Sequence, residues 1–447
     1  MVVESQDILL GYLDSTLSPE QVQALEAPFT IEEVMRAIKH SSSSSSPGRD
    51  GLPFSFYKVF GECLAETLTE LCNQVWTVGK IQASALSCVI SLIFKQKGDE
   101  ADLKNWRPIA LLNCDLKILT KLLAYCLQAS VSSLIHPSQT GFIQGQLIQD
   151  NCMTISQVLE YYRQTPAAGP GSLLFLDQEK AYDRVDWSYL KRCLQRFGFS
   201  PKWLHAISTI YSNLSGSVLV NHFLSCPFQI SQGLRQGDPL SPLLYNLVLE
   251  PLLCFLQRQV SGLHLPGLHF QASAFCDDIV VAVSQVEDFR QVEQGIHLHE
   301  SASNAKLNTG KCETLPLTST SRDLLPGLGQ WLPRDQVFQH LGIPFHPQCF
   351  PLPQGWFNSL LDKLRRTITS WQKCKISMAG RVLIINSQLL SKLWYLAYFV
   401  SFPPWFFKAL SRIVSAFLWD SKHSQISLSS IQVPSKARGL GLIKPEY

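Results

Sequence analysis

Apolar residues recur along this chain with two different periods, and the switches between them sketch its elements. Thr30 and Glu33 fit a capping box, and Ile31, Val34, Met35 and Ile38 then fall on one helical face. A serine run at 41–46 and the turn pairs Pro47-Gly48 and Asp50-Gly51 interrupt that pattern. Helical spacing resumes over 52–80, residues 84–94 read as a strand or buried segment, and 115–127 as a helix. The middle third alternates. A short apolar run at 172–176 is followed by a helix-like pattern over 179–197, strands at 217–220 and 228–231, and a helix from Ser241-Pro242 towards Arg258. Residues 272–283 predict two strands folded about Asp277-Asp278, and the pattern beyond 355 is mainly helical.

At 447 residues the chain is long enough for two or three units that each bury a core. Hydrophobic residues make up 46% and charged residues 16%, which fits a globular protein. No apolar stretch reaches the roughly 20 residues of a membrane-spanning helix; the best, 243–256, is interrupted by Asn246, Glu250 and Pro251. The thirteen cysteines include no CxxC pair, so zinc-knuckle spacing is absent. With no export signal visible, they fit a reducing intracellular setting, and nothing separates nucleus from cytoplasm. The net charge of +3 hides an asymmetry. Residues 355–447 hold 13 Lys and Arg against Asp362, Asp420 and Glu446, while the remainder is acidic. Such a basic end suits phosphate contacts, and it equally suits a solvated positive face.

The sharpest chemical feature is Asp277-Asp278, two carboxylates inside an otherwise apolar strand pair. Without cations or a water-lined cleft, placing like charges there is costly. An exposed hairpin turn is the plainer reading. Asp177 ends the apolar run 173–176, where it could serve at a strand end or cap the helix that follows. If the three converge, they form a set of hard oxygen donors suited to Mg²⁺ or Mn²⁺. Two such ions about 4 Å apart serve in-line phosphoryl transfer. The segment Gly233-Leu234-Arg235-Gln236-Gly237-Asp238-Pro239-Leu240-Ser241-Pro242 is a polar glycine loop leading into a helix.

These segments, in this order, resemble the reverse transcriptase of LINE-type retrotransposons, those without long terminal repeats. Asp177 to Asp183 is similar to the first palm motif, 233–242 to the RQG-x-PLSP segment, and Phe275 to Asp278 to the aromatic-x-Asp-Asp signature. The likeness continues in SPG-x-DG…FY at 46–57, RPI-x-LLN at 107–113, HP-x-QTGFI at 136–143, Lys306-Leu307-Asn308 with Lys311, and Leu341-Gly342-Ile343. Trp371, Ser377, Gly380-Arg381, Trp419 and Gly439-Leu440-Gly441 extend it into a thumb-like region. Three positions depart from the family pattern: Gln146 stands where arginine is frequent, serines stand where a lysine is common before SPG, and Cys276 replaces a more usual alanine. The first two remove positive charge.

The resemblance implies an α+β right-hand polymerase: an N-terminal extension (1–29), fingers (30–165), an antiparallel-sheet palm (166–350) and a basic helical thumb-like region (351–447). Asp177, Asp277 and Asp278 would hold two Mg²⁺ or Mn²⁺ ions. Arg107 and Lys95 would contact the triphosphate, Tyr182 would screen the 2′-hydroxyl, and Gln236 and Gly237 would line the nucleotide site. Lys306, Lys311 and Arg381 are expected on nucleic acid. The implied activity is RNA-directed DNA synthesis, with an RNA template, a DNA primer or target site, deoxynucleoside triphosphates, no membrane and no protein partner named. A catalytically inactive, truncated relic that binds nucleic acid is the alternative of another class; an RNA-templated RNA polymerase is disfavoured by Tyr182. Because 1–29 is too short for the endonuclease of full-length relatives, and no terminal cysteine-histidine knuckle follows, the sequence reads as an isolated polymerase segment.

Overall fold

The computed structural model describes residues 2–96, 98–419, 426–434, 436 and 439–444. The chain forms two compact units, one of residues 1–151 with 169–331, the other of 152–168 with 332–447. The expected breaks at 165/166 and 350/351 do not coincide with these units: 152–165, expected in the fingers, and 332–350, expected in the palm, both fall in the second.

The first unit is built on two sheets. In the first, strands run in the order Gln330–Trp331, Glu313–Pro316, Ser172–Leu176, Asp278–Val283, Ala272–Phe275. Neighbours are antiparallel except the short pair at the Gln330 edge. Leu173, Leu174 and Leu176 and every residue from Ile279 to Val283 are buried. Burial of consecutive residues means that both sheet faces are covered, which explains why these strands read as continuous apolar runs rather than alternating ones. The helices Ser241–Gln259 and Val286–Ser303 pack on this sheet and on each other. In the second sheet Ser87–Phe94 lies between Trp106–Leu111, antiparallel to it, and Ser215–Val220, parallel to it. The strands Phe223–Leu224 and Phe228–Gln229 pair with Ser215–Val220.

Two expectations need correcting. The helix expected over 179–197 is two helices, Ala181–Arg184 and Trp187–Arg196. The break arises because other segments claim its backbone: Leu234 N–H donates to the Tyr182 carbonyl, Gly233 N–H to the Val185 carbonyl, and Asp186 N–H to the Ser303 carbonyl. Asp186 then caps the second helix through Tyr189 N–H at 2.8 Å. The helix Ser241–Gln259 does start at the expected place, but Leu240 occupies its cap position and Ser241 lies inside its first turn.

Residues 2–29 do not hang free of the first unit. Leu9, Leu10, Leu13, Leu17, Leu25 and Phe29 are buried in its main core. Arg192 donates to Gln6 Oε1 at 2.7 Å, and Arg196 reaches the carbonyls of Leu10 and Leu13. Trp203, 1% exposed, donates its indole N–H to the Leu25 carbonyl at 2.9 Å and meets Trp76 edge-on.

The second unit joins the hairpin Phe338–His340 and Ile343–Phe345 to the helices Gln354–Gln372, Met378–Ile384, Ser391–Ala397 and Pro404–Trp419, with a π-helical stretch at Ile385–Leu390. Phe357, Leu364, Ile385, Leu389, Phe406, Leu410 and Phe417 form its separate core. Asp420 and Glu446, two of the acids in the charge balance of 355–447, lie outside the described residues.

Trp203→Ala removes a buried ring and leaves the Leu25 carbonyl unpaired. It is expected to cost about 3–5 kcal/mol. Chemical denaturation should show that loss, and limited proteolysis should show earlier cleavage within residues 2–29.

Candidate active site

Asp177 follows directly on the strand Ser172–Leu176, whose Leu176 pairs with Ile279. One step further along the same antiparallel register sets Asp177 opposite Asp278. The hairpin between Ala272–Phe275 and Asp278–Val283 closes through only Cys276 and Asp277, because Phe275 already pairs with Asp278. The sheet therefore delivers all three carboxylates to one end. Asp177 does not cap a helix; the residue at that position before Ala181–Arg184 is Lys180, in a left-handed conformation with φ 49°.

Their electrostatics follow from that neighbourhood. Loss of solvent, and after it the charges of Asp277 and Asp177, push the Asp278 carboxyl up to about 6. Burial also raises Asp277, with Asp177 adding to the shift and the Arg107 guanidinium opposing it. Cations surround the acids. Lys95 is held below the usual range of lysine by partial burial and by the repulsion of Lys311, Arg107 and Lys180, while Asp177 pulls it the other way. Asp183, raised by burial, is counterbalanced by Lys180 and Lys95. Among the described residues, no three Asp, Glu, His or Cys side chains close into a ready-made metal cluster. The three aspartates are nonetheless hard donors whose mutual repulsion a divalent cation would relieve.

The carboxylate hairpin has an unfavourable backbone, and the chain supplies its support. Cys276 has φ 59°, a left-handed conformation uncommon for a residue with a side chain. Gln139 is 1% exposed and aims its amide at this residue. Its Oε1 accepts from Cys276 N–H at 2.8 Å and Gly141 N–H at 2.9 Å, and its Nε2 donates to the Cys276 carbonyl at 3.2 Å. Gly141 is required here, since a Cβ would lie 2.5 Å from the Cys276 nitrogen. Ser138 and Thr140 extend the support by backbone bonds to Ala274. Beneath them, Glu250 Oε1 accepts from His136 N–H at 2.8 Å.

On the other flank, Asn308 N–H donates to the Asp177 carbonyl and Glu179 N–H to that of Lys306. Lys306 forms an exposed ion pair with Glu179 at 3.6 Å. Tyr182 stacks on Tyr245 at 4.8 Å and shares a hydrogen bond with Cys276 Sγ. Gln236 gives its carbonyl to Ala110 N–H at 2.9 Å, tying the glycine loop to the strand that bears Arg107. Gly237, with φ 108°, exposes its backbone beside that strand. Arg235 and Asp238 form a buried ion pair at 2.6 Å, and Asp238 also accepts from Leu240 N–H. Arg381 belongs to the second unit, where its guanidinium donates to the carbonyls of Ile376, Phe417 and Leu418. It secures a helix C-terminus.

Lys180, Asp183, Asn308 and Gln139 were not singled out from sequence. All four lie inside motifs that were legible, but a lysine between Glu179 and Ala181 looks like a solvated helix residue, and a glutamine has no chemistry of its own to mark it.

The equipment is that of a centre that can hold divalent cations and grip phosphates. The model of the reverse transcriptase (RNA-dependent DNA polymerase) family matches residues 94–345. The chain belongs to that family, an enzyme class of RNA-directed DNA polymerases, and within it to the LINE type. It is 32% identical over 434 residues to a transposon TX1 149 kDa protein of Xenopus laevis, covering 96% of this chain and 33% of that one. It is 28% identical to a Pol polyprotein from the type-1 retrotransposable element R2 of Popillia japonica, covering 82% and 51%. It is 24% identical to the RNA-directed DNA polymerase from mobile element jockey of Drosophila funebris, covering 76% and 37%. The chain thus spans between a third and about half of the length of these relatives. Among the described residues no helix is long and apolar enough to cross a membrane.

Glu250 generates a pH prediction. Burial raises its carboxyl to about 8, against the bonds from His136 N–H and Cys254 that lower it. The unfolded chain releases this proton from about pH 4.3 upward, whereas the fold keeps it. Stability present in full below that value therefore declines as pH rises towards 8. Glu250→Gln should gain in melting temperature on the parent between pH 5 and 8, and the gap should level off above that.

Proposed function

We propose that this chain copies an RNA template into DNA, extending a DNA primer or target-site 3′ end with deoxynucleoside triphosphates. The observation that carries the reading is the placing of Asp177, Asp277 and Asp278 at one end of a buried sheet, among the charges of Lys95, Arg107, Lys180 and Lys311. Asp177, Asp277 and Asp278 would hold two Mg²⁺ or Mn²⁺ ions, which when bound activate the primer 3′-oxygen and neutralise the leaving pyrophosphate. Lys95, whose ammonium donates to the Lys104 carbonyl at 2.8 Å, feels the charge of Asp177, and Arg107 acts on Asp277; both are suited to bind the triphosphate, the guanidinium fork matching phosphate oxygens. Lys180 and Lys311 add charge to that cradle. Gln236 and Gly237 present backbone beside the Arg107 strand, where a base can approach.

Tyr182 supplies a fixed aromatic wall next to the hairpin. A wall there rejects a 2′-hydroxyl by contact, which selects deoxynucleotides. In this reading the carboxylate-bearing sheet and its helices are the palm, the second sheet with its helices the fingers, and the second unit the thumb. That unit exposes Lys363, Arg366, Lys373, Lys375, Lys392, Lys408 and Arg412, a surface suited to the phosphates of a template–primer duplex. Arg381 is assigned to holding that unit together, and Lys306 and Lys311 remain candidates for nucleic-acid contact.

Extension of a DNA primer on an RNA template in Mg²⁺ is the test. Asp277→Asn should lower the rate by a factor of about a hundred or more while leaving template binding within about threefold. Equal extension by parent and variant would exclude the carboxylate centre; template binding without extension by folded parent protein would favour an inactive nucleic-acid-binding relic. Tyr182→Ala is expected to admit ribonucleotides, read by extension with each ribonucleoside triphosphate in turn.

A further inference from the structure

The tyrosine proposed to face the sugar is fixed in an unusual manner. It sits on the short helix Ala181–Arg184, and its ring lies nearly parallel to that of Tyr245, at 12° between planes. Tyr245 is itself anchored, its hydroxyl donating to Gln178 Oε1 at 3.1 Å, one residue beyond Asp177. A stacked pair fixes the plane of a ring but lets it slide within that plane, because dispersion changes little over a few tenths of an ångström. What stops the slide is at the far end of the ring. There the Tyr182 hydroxyl and the Cys276 thiol are 2.9 Å apart and share a hydrogen bond.

Cys276 is a rigid partner for that bond. It is 3% exposed, it is one of the two residues that close the hairpin, and its amide and carbonyl are both held by the buried side chain of Gln139. Asp277 and Asp278 follow it directly. A displacement of the ring would have to carry this hairpin with it, or break the bond.

We propose that Cys276 is a specificity-determining positioning residue: its thiol latches the Tyr182 ring to the carboxylate hairpin, and Gln139 holds the latch in place. The inference rests on the reading of Tyr182 as the sugar gate. It goes beyond that reading because a gate needs only a bulky ring, whereas the latch makes the ring's hydroxyl and the residue before Asp277 part of the selection. Rejection of a 2′-hydroxyl depends on the wall staying within a few tenths of an ångström of its place, since repulsion rises steeply with overlap and vanishes with a small retreat. Removing either partner of the bond frees the ring to retreat while leaving its bulk.

The experiment compares kcat/KM for a deoxynucleoside triphosphate and its ribonucleoside counterpart on one RNA template and DNA primer. It uses the full chain and the variants Cys276→Ala, Cys276→Ser, Tyr182→Phe, Tyr182→Ala and Tyr182→Phe with Cys276→Ala. Cys276→Ala and Tyr182→Phe should each lower discrimination about fivefold, the weight of one neutral hydrogen bond. The double variant should be no worse than either single one, because both remove the same bond. Cys276→Ser, which puts a hydroxyl in place of the thiol and so keeps a hydrogen-bond partner there, should hold discrimination within about twofold of the parent. Tyr182→Ala should relax selection further than any of these.

If Cys276→Ala and Tyr182→Phe leave discrimination unchanged, lower both substrates equally, or add in the double variant, the latch is wrong, while relaxation by Tyr182→Ala keeps the gate. If Tyr182→Ala leaves discrimination unchanged, the gate itself fails and the latch with it. Melting temperatures are measured alongside. Should Cys276→Ala fail to fold, Tyr182→Phe against Cys276→Ser decides the matter alone.

Discussion

Three like charges set at one end of a covered sheet repel one another, and much of the first unit is the answer to that repulsion. The antiparallel register of Leu176 with Ile279 brings Asp177 alongside the Asp277-Asp278 turn. It cannot slip by one residue without turning every buried side chain of two strands to the opposite face. The acids are thus fixed by packing rather than by mutual attraction. Burial first, and the charges of Asp277 and Asp177 after it, push the Asp278 carboxyl up to about 6. Lys95, Arg107, Lys180 and Lys311 answer in kind, and partial burial together with the repulsion of the other three lowers the affinity of Lys95 for its proton.

The support for this centre is local on one side and long-range on the other. The hairpin itself is a two-residue connection, with its left-handed residue held by Gln139 from a segment 137 positions away. The glycine loop at 233–242 performs a comparable service for the strand end. It bonds to the backbone of Tyr182 and Val185, offers Gln236 to the second sheet, and keeps its own shape through the buried Arg235–Asp238 pair. Breaking such a pair from one side leaves a buried charge uncompensated, so the loop's conformation is strongly determined even though the pair adds little net stability. In this way the cations of one sheet and the carboxylates of the other are referred to a common piece of backbone.

The second unit works by a different logic. Its core of Phe357, Leu364, Ile385, Phe406 and Phe417 is independent of the carboxylate sheet, and its charges lie outside. Exposed lysines and arginines there meet few acids; Arg365 with Asp362 is an exposed exception at 2.9 Å. Arg381 is the instructive contrast, since its guanidinium is turned to the protein's own backbone, donating to the carbonyl of Ile376 and to those of Phe417 and Leu418 in the last turn of a helix.

By itself the sequence determined the elements whose pattern is strong: the capping box at Thr30, the strands around 172–176 and 272–283, the long helix after Ser241 and the helical character beyond 355. It also determined the chemistry on offer, because carboxylates in apolar strands and a glycine loop before a helix are readable from residue type and order. The tertiary structure decided what depends on partners far along the chain. The helix read over 179–197 breaks because the 233–234 amides and Ser303 take up its backbone groups, Lys180 turns left-handed beside Asp177, and Gln139 becomes the brace of the Cys276 turn. Local pattern reports hydrophobic period and turn preference. Hydrogen bonds between segments far apart in the chain leave no such periodic trace, and they are what sets the backbone around the three acids.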